Sequence, residues 1–264
     1  MGKKYNEFYY SVDNKIHLDR DFWDMYNNTK TEAMRKYNKK MFCPFCRKAP
    51  LTVVMGNERK YFRVSESDMS KHISGCPNFL DEASKAEVKE FYDTIDDDNI
   101  QNRLVTYINR LLKNDIAIFD KFNEKLNNNN KKDDFSAFCF ENKQKIKKSI
   151  PSMSLYSDCL RRNIDMIKLF YGKCKIYCKS YTDENTKEVK VYYLQILNNV
   201  TNKSICSLKI TPRVYDYINI NFPKNISEAK MFYIGFFSQL YINPKGYLSV
   251  DIKHSKMVRF EEVK

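Results

Sequence analysis

Four residues in the first third of the chain constrain it most. Cys43 and Cys46 form a C-x2-C pair, and His72 and Cys76 form an H-x3-C pair further on. Two thiolates separated by two residues face one point from a single tight turn. A histidine and a cysteine four apart share one face of a helix. Sulfur and imidazole donors in this number suit a tetrahedral Zn2+ ion, and four such ligands leave no open position, which is the signature of a structural site. Pro44 after the first cysteine and Arg47-Lys48 after the second fit a tight knuckle. A disulfide is the weaker alternative. Eight cysteines in 264 residues are sparse for a disulfide scaffold, and no leader segment is read at the start of the chain.

The residues between the two pairs predict a hairpin. Residues 51–54 and 59–64 alternate as strands, with the Gly56-Asn57 turn between them. Ser67-Asp68 is expected to cap a short helix that delivers His72 and Cys76. Cys43-Pro44-Phe45-Cys46, the Gly56 turn, Arg59, Tyr61-Phe62, His72 and Cys76 together resemble the zinc-binding region of CoiA-like competence proteins and related bacterial and phage proteins. The resemblance covers about residues 41–78. It implies a zinc module accessory to a nuclease-like domain, although no convincing nuclease core follows in this chain.

Charge is distributed unevenly. The chain carries 46 basic and 33 acidic residues, net +13. Residues 1–130 are nearly balanced, with 22 basic and 20 acidic, while residues 131–264 hold 24 and 13. A basic half rich in aromatics points to a polyanion, above all nucleic acid. The bland reading is a generic basic surface or a face for an acidic protein. No apolar run approaches the ~20 residues that cross a bilayer, so the expectation is a cytoplasmic protein with no membrane partner.

Along the chain, four regions are expected: a zinc-binding module over 1–80, a helical segment over 81–126, a polar and basic linker over 127–150, and a β-barrel over 151–264. Residues 8–12 read as a strand. Asp21 is expected to cap a helix running through Phe22, Trp23 and Tyr26 to Tyr37, with Trp23 as a core anchor. Asp81 or Ser84 caps a second helix, and Asp96-Asp97-Asp98 starts a third, where carboxylates complement the helix dipole. The stripe Ile100, Leu104, Tyr107, Ile108, Leu111 and Leu112 is amphipathic at helical spacing and is expected to cover the zinc module or a second copy of the chain. Asn127 to Asp134 reads as a flexible linker.

The remainder alternates as strands over 173–179, 189–197, 204–210, 231–242 and 247–252, with a short helix at 212–218. Three strands, a helix and two strands resemble the OB-fold, a five-stranded Greek-key barrel. Gly172 and Gly235 fall where such a barrel bends. The fold class expected is therefore α+β: an N-terminal zinc-binding module with helices, then a C-terminal OB-like β-barrel.

Such a barrel implies single-stranded nucleic acid bound by a basic groove and stacking aromatics. The candidates are Tyr177, Tyr181, Tyr192 and Phe236 as platforms and Lys175, Lys179, Lys190 and Lys209 along the backbone path, with the core face as the competing assignment for half of the aromatics. The leading expectation is a zinc-stabilised, non-catalytic nucleic-acid-binding accessory protein, single-stranded DNA or RNA favoured, of a bacterial mobile element or phage. The alternative is a protein-interaction or inhibitor protein that docks on a host defence or replication complex. A third is a magnesium-dependent nuclease built on Asp183, Glu188 and Lys190, whose acidic-x-lysine run is short and lacks a second strand to present Asp183. Cys174 and Cys178, with Cys159 and Cys206, read as buried thiols ahead of a second metal site. His17 and His254 lack the partners of a hydrolase triad, and no glycine-rich phosphate loop occurs.

Overall fold

The computed structural model describes residues 3–56, 60–112, 135–157 and 159–263. The chain divides into two compact units that do not follow sequence order. The first comprises residues 1–82 and 114–149, and the second residues 83–113 and 150–264. Of the linker expected over 127–150, residues 127–134 lie outside the described residues, as do residues 57–59, while residues 139–149 form a hairpin of the first unit instead.

The first unit is built on aromatic packing. Strands β1 (Glu7–Tyr10) and β2 (Lys15–Leu18) form a hairpin, and β3 (Met41–Phe42) joins β1 antiparallel. Alternation along β1 buries Phe8 and Tyr10. Helix α1 (Asp19–Asn28) contributes Phe22 and Tyr26, and α2 (Lys30–Tyr37) contributes Ala33 and Tyr37. The single helix expected from Asp21 to Tyr37 is two helices. The first starts at Asp19, and extended backbone at Thr29 (φ −147°, ψ 91°) divides them. Asn27, Asn28 and Thr29 are weak helix formers, so the break falls where propensity is lowest. Strands β4 (Thr52–Met55) and β5 (Lys60–Arg63) make the expected hairpin. From it Phe62 packs edge-on against Phe8 and Phe22 at 5.6 and 5.2 Å. Half-buried Trp23 lies flat on Phe62, 5.2 Å away with an 8° interplanar angle. A second hairpin, β6 (Cys139–Glu141) with β7 (Lys147–Ser149), completes this unit.

The second unit is a strongly curled mixed sheet with helices on it. Its strands are β8 (Ser152–Ser154), β9 (Ile167–Thr182), β10 (Val189–Leu197), β11 (Ser204–Ile210), β12 (Lys230–Gln239), β13 (Tyr241–Ile242), β14 (Leu248–Ile252) and β15 (Val258–Glu262). They run in the order β13-β14-β11-β10-β9-β12-β15, with β8 parallel to the start of β9. The β11–β14 pair is parallel and the other main-path neighbours are antiparallel. Strands β8 and β15 add to the five expected, and the strand expected over 231–242 is broken after Gln239 into β12 and β13. Helix α5 (Pro212–Ile218) connects β11 to β12; the Thr211 hydroxyl accepts the Val214 N–H and Pro212 occupies the first turn.

Helix α3 (Lys85–Thr94) opens on a capping box between Ser84 and Glu87. Helix α4 (Asp97–Leu112) starts where Asp96 accepts the Asn99 N–H at 2.8 Å. The α4 stripe buries Ile100, Leu104, Tyr107, Ile108 and Leu112. Its contacts are with β12, β15 and β9 of its own unit, which corrects the two destinations expected from sequence. A Cβ on Gly235 would lie 3.5 Å from Leu104 and 3.6 Å from Ile108, and one on Gly172 would lie 3.3 Å from Leu155. A side chain at Gly172 would therefore crowd Leu155, a role beyond the bending expected of it, whereas one at Gly235 would meet α4 at ordinary contact distance. No described helix is long and apolar enough to cross a membrane.

Candidate metal centre and sheet surface

Cys43, Cys46, His72 and Cys76 converge. Their ligand atoms all lie within 4.8 Å of one another, and all four residues are buried. The first pair sits on a knuckle after β3. The Cys43 N–H bonds to the Ala49 carbonyl at 2.8 Å, and the Arg47 N–H returns to the Cys43 carbonyl at 2.9 Å. Arg47 takes the left-handed conformation (φ 55°) that closes this turn, a position where glycine is the more common residue. Its guanidinium lies over the Tyr9 ring, 4.9 Å from the centroid.

The second pair arrives differently from the expected helical turn. The helix is a short 3-10 segment, Glu66–Lys71, preceded by Ser65 rather than capped at Ser67-Asp68. It ends at His72, which is already extended (φ −65°, ψ 144°). Gly75, at φ +79°, then reverses the chain so that Cys76 turns inward. The four-residue spacing serves a helix end plus a glycine turn. Spacing alone does not distinguish that from one continuous turn.

The donor geometry fits zinc. Cys43 and Cys76 sulfurs are 3.9 Å apart, and Cys46 Sγ is 3.3 Å from His72 Nδ1. A tetrahedral ion with Zn–S bonds of about 2.3 Å separates its thiolates by roughly 3.8 Å. Around the ligands, the Asn78 side-chain amide donates to Cys43 Sγ at 3.4 Å. The Tyr5 hydroxyl is 3.5 Å from His72 Nε2, and burial followed by the surrounding cysteines holds its pKa far above the usual phenol range. Such outer partners fix the imidazole tautomer and ring orientation.

The ligand groups perturb one another's ionisation. Burial alone would lower the His72 pKa, but Cys43 and Cys46 raise it to about 9. Hydrogen bonds from Cys43 and Cys76 pull Cys46 down, while Cys43 and Cys46 push Cys76 up. A divalent ion bound among these ligands would offset their thiolate charge. Three thiolates and one Zn2+ still leave a single negative charge. Lys3 stands close by, donating to the Pro77 and Leu80 carbonyls at 2.7 and 3.1 Å and to Ser149 Oγ at 3.0 Å.

The sheet distributes the eight other candidates over different environments. Pairing puts Lys175, Tyr177 and Lys179 on the outer face of β9, opposite Leu197, Gln195 and Tyr193 of β10. Tyr193 in turn faces Lys209 of β11. Lys179, Tyr193 and Lys209 thus form one row across three strands, with Lys179 and Lys209 exposed and Tyr193 half-buried. Tyr181 is 60% exposed near the strand end, whereas Tyr177 is 8% exposed, too enclosed for an open stacking platform. Phe236 is 0% exposed and stacks on Phe170 at 5.2 Å. Its platform role is corrected, because β12 is buried on both faces. Half-buried Tyr192 stacks on Tyr215 of α5 at 4.0 Å, on the opposite face from Tyr193. Lys190 falls at a bulge and reaches Asp183 at 3.9 Å, and Lys175 donates to Asn202 at 2.9 Å.

Sequence reading missed Tyr193 and Gln195. Adjacent tyrosines at 192 and 193 hide the alternation, and the bulge between Val189 and Val191 shifts the register before it. Asp183 accepts the Asn185 and Thr186 N–H groups, both at 3.0 Å, in the β9–β10 turn. Cys174, Cys178 and Cys206 are buried, and burial raises the Cys174 and Cys178 thiols to about 12 and about 11. Among the described residues, Cys43, Cys46, His72 and Cys76 are the one convergent group of metal-ligand type. In comparisons with known proteins, no family model, no curated protein and no solved structure matches the chain.

Proposed function

We propose that the chain is a zinc-stabilised nucleic-acid-binding accessory protein whose curled sheet holds a single strand on the outer face of β9, β10 and β11. The observation that carries this reading is the row Lys179, Tyr193, Lys209, with Tyr181 and Lys175 on the same face. Two ammonium groups flanking a phenol ring match a strand whose phosphates take the lysines and whose base stacks on the ring. Strand order supports the barrel assignment. The run β14-β11-β10-β9-β12, the parallel β11–β14 pair and a helix between β11 and β12 resemble an OB-like barrel left open between β14 and β12. The ligand spacing that resembles the CoiA-like module agrees, since that resemblance implies an accessory to a nuclease-like domain. Zinc serves the first unit as a structural ion held by Cys43, Cys46, His72 and Cys76.

The test is binding of labelled single-stranded and double-stranded DNA and RNA across a salt series. Single strands are expected to bind most tightly, with affinity falling steeply as salt rises. Tyr193→Ala is expected to weaken binding by about 1–3 kcal/mol. Lys179→Glu with Lys209→Glu is expected to abolish binding at moderate salt. Absence of binding at low salt, or affinity insensitive to salt, overturns the reading.

A further inference from the structure

Strand β15 ends the sheet on the β12 side. The Val263 N–H bonds to the Met231 carbonyl, so the antiparallel ladder directs Glu261 and Arg259 toward β12. The backbone groups of the intervening Phe260 and Glu262 turn the other way. On that side the Val258 carbonyl accepts the Gln101 side-chain amide at 3.4 Å. Beside the strand runs an open groove of about 460 Å³, lined by Val258, Arg259, Phe260 and Glu261 and by Tyr217 and Ile220. It leaves space next to the backbone groups that β12 does not use.

We propose that this edge pairs with β15 of a second copy of the chain, antiparallel and centred on Phe260. The sign pattern of the strand argues for a copy of itself as the occupant. Arg259-Phe260-Glu261 read against its own reverse sets Arg259 of each copy opposite Glu261 of the other, with the Val258 carbonyl left to Gln101. Parallel pairing would set Arg259 against Arg259, and opposite charges directly across a ladder attract where like charges repel. The same register makes Phe260 a hydrogen-bonded pair with its own counterpart, using the N–H and C=O that turn away from β12. Arg259 and Glu261 are partly exposed and lie 3.6 Å apart within one strand, so both are free to exchange partners across the dyad. Edge strands are commonly guarded by charged side chains; here Arg259 and Glu261 place opposite signs on one face, which a reversed copy complements.

The test uses the full chain. Light scattering over a concentration series is expected to give a mass rising toward twice that of the monomer. Arg259→Glu alone and Glu261→Arg alone each create like-charge pairs and are expected to stay monomeric, with unchanged circular dichroism. An equimolar mixture of the two variants restores opposite charges at both positions and is expected to recover the dimer, at least tenfold tighter than either variant alone. The proposal is overturned if the wild-type chain remains monomeric at its highest soluble concentration. It is equally overturned if either single variant dimerises like wild type, or if the mixture fails to associate.

Discussion

The Tyr5 hydroxyl stands 3.5 Å from Nε2 of His72, while Nδ1 of the same ring faces Cys46 Sγ at 3.3 Å. One imidazole nitrogen thereby faces the sulfur cluster and the other a buried phenol in the first strand region of the chain. Tyr5 also pairs through its backbone with Phe62, so metal geometry and the aromatic core share a residue. Tyr5→Phe keeps the packing and removes only the hydroxyl. Its zinc affinity is expected to fall about tenfold, measured by competition with a chromogenic chelator. Cys43→Ser should lose the ion altogether, and with it a folding contribution on the order of 10 kcal/mol. Retention of wild-type affinity in Tyr5→Phe would show that the hydroxyl does not support the ligand.

Gly235 gives a sharper mechanical prediction. Its missing side chain faces Leu104 and Ile108 at ordinary contact distance. Gly235→Ala should be near neutral, since a methyl fits there and stiffens the unfolded chain. Gly235→Leu forces α4 outward and is expected to cost about 1–3 kcal/mol. Urea midpoints at unchanged slope read the difference, and equal midpoints for the two variants would remove α4 as the cause.

His17 provides a pH dependence separate from the metal. Its ring nitrogens meet Asp13 at 2.8 Å and Asp21 at 3.4 Å. Its pKa is raised, chiefly by the Asp21 hydrogen bond and against the effect of burial, and that of Asp21 is lowered, chiefly by His17. A raised histidine pKa means stabilisation complete below the unfolded value near 6.5 and lost as pH climbs through the folded one. A lowered carboxylate pKa means stabilisation present above 3.8 and lost as pH falls through the folded value. The cluster therefore contributes most between those limits, by less than about 1 kcal/mol because its groups are partly exposed. The gap in melting temperature between wild type and His17→Asn should be widest near about pH 5.5 and narrow by about pH 9. A gap constant across that range would reject the ion cluster.

The metal centre was legible because its chemistry tolerates few residue types. Four scarce ligands at knuckle spacing name themselves, and the structure gathers those same four. What spacing did not carry was the backbone between them. His72 leaves a 3-10 helix and Cys76 follows a left-handed glycine, and both paths satisfy H-x3-C. The α4 stripe was legible as a stripe, but an apolar face does not name its partner. The clue lay in β12, where Met231 to Phe237 is apolar on both faces and so requires cover on each side. The row through Tyr193 was hidden because register is a property of strand pairs, and a one-residue bulge reverses every assignment after it.

The first unit is discontinuous in sequence, and that governs when it can exist. All four ligands have been synthesised once residue 76 leaves the ribosome, so metal can be captured early. Yet Lys3 bonds Ser149, 146 positions away, and the hairpin that supplies it follows α3 and α4 in the chain. Closing so long a loop is deferred until those helices have been made. An ion held by Cys43, Cys46, His72 and Cys76 would therefore be captured before the Lys3–Ser149 contact closes, while the beginning of the second unit emerges, and a chain cut short before residue 149 would lack that final fastening.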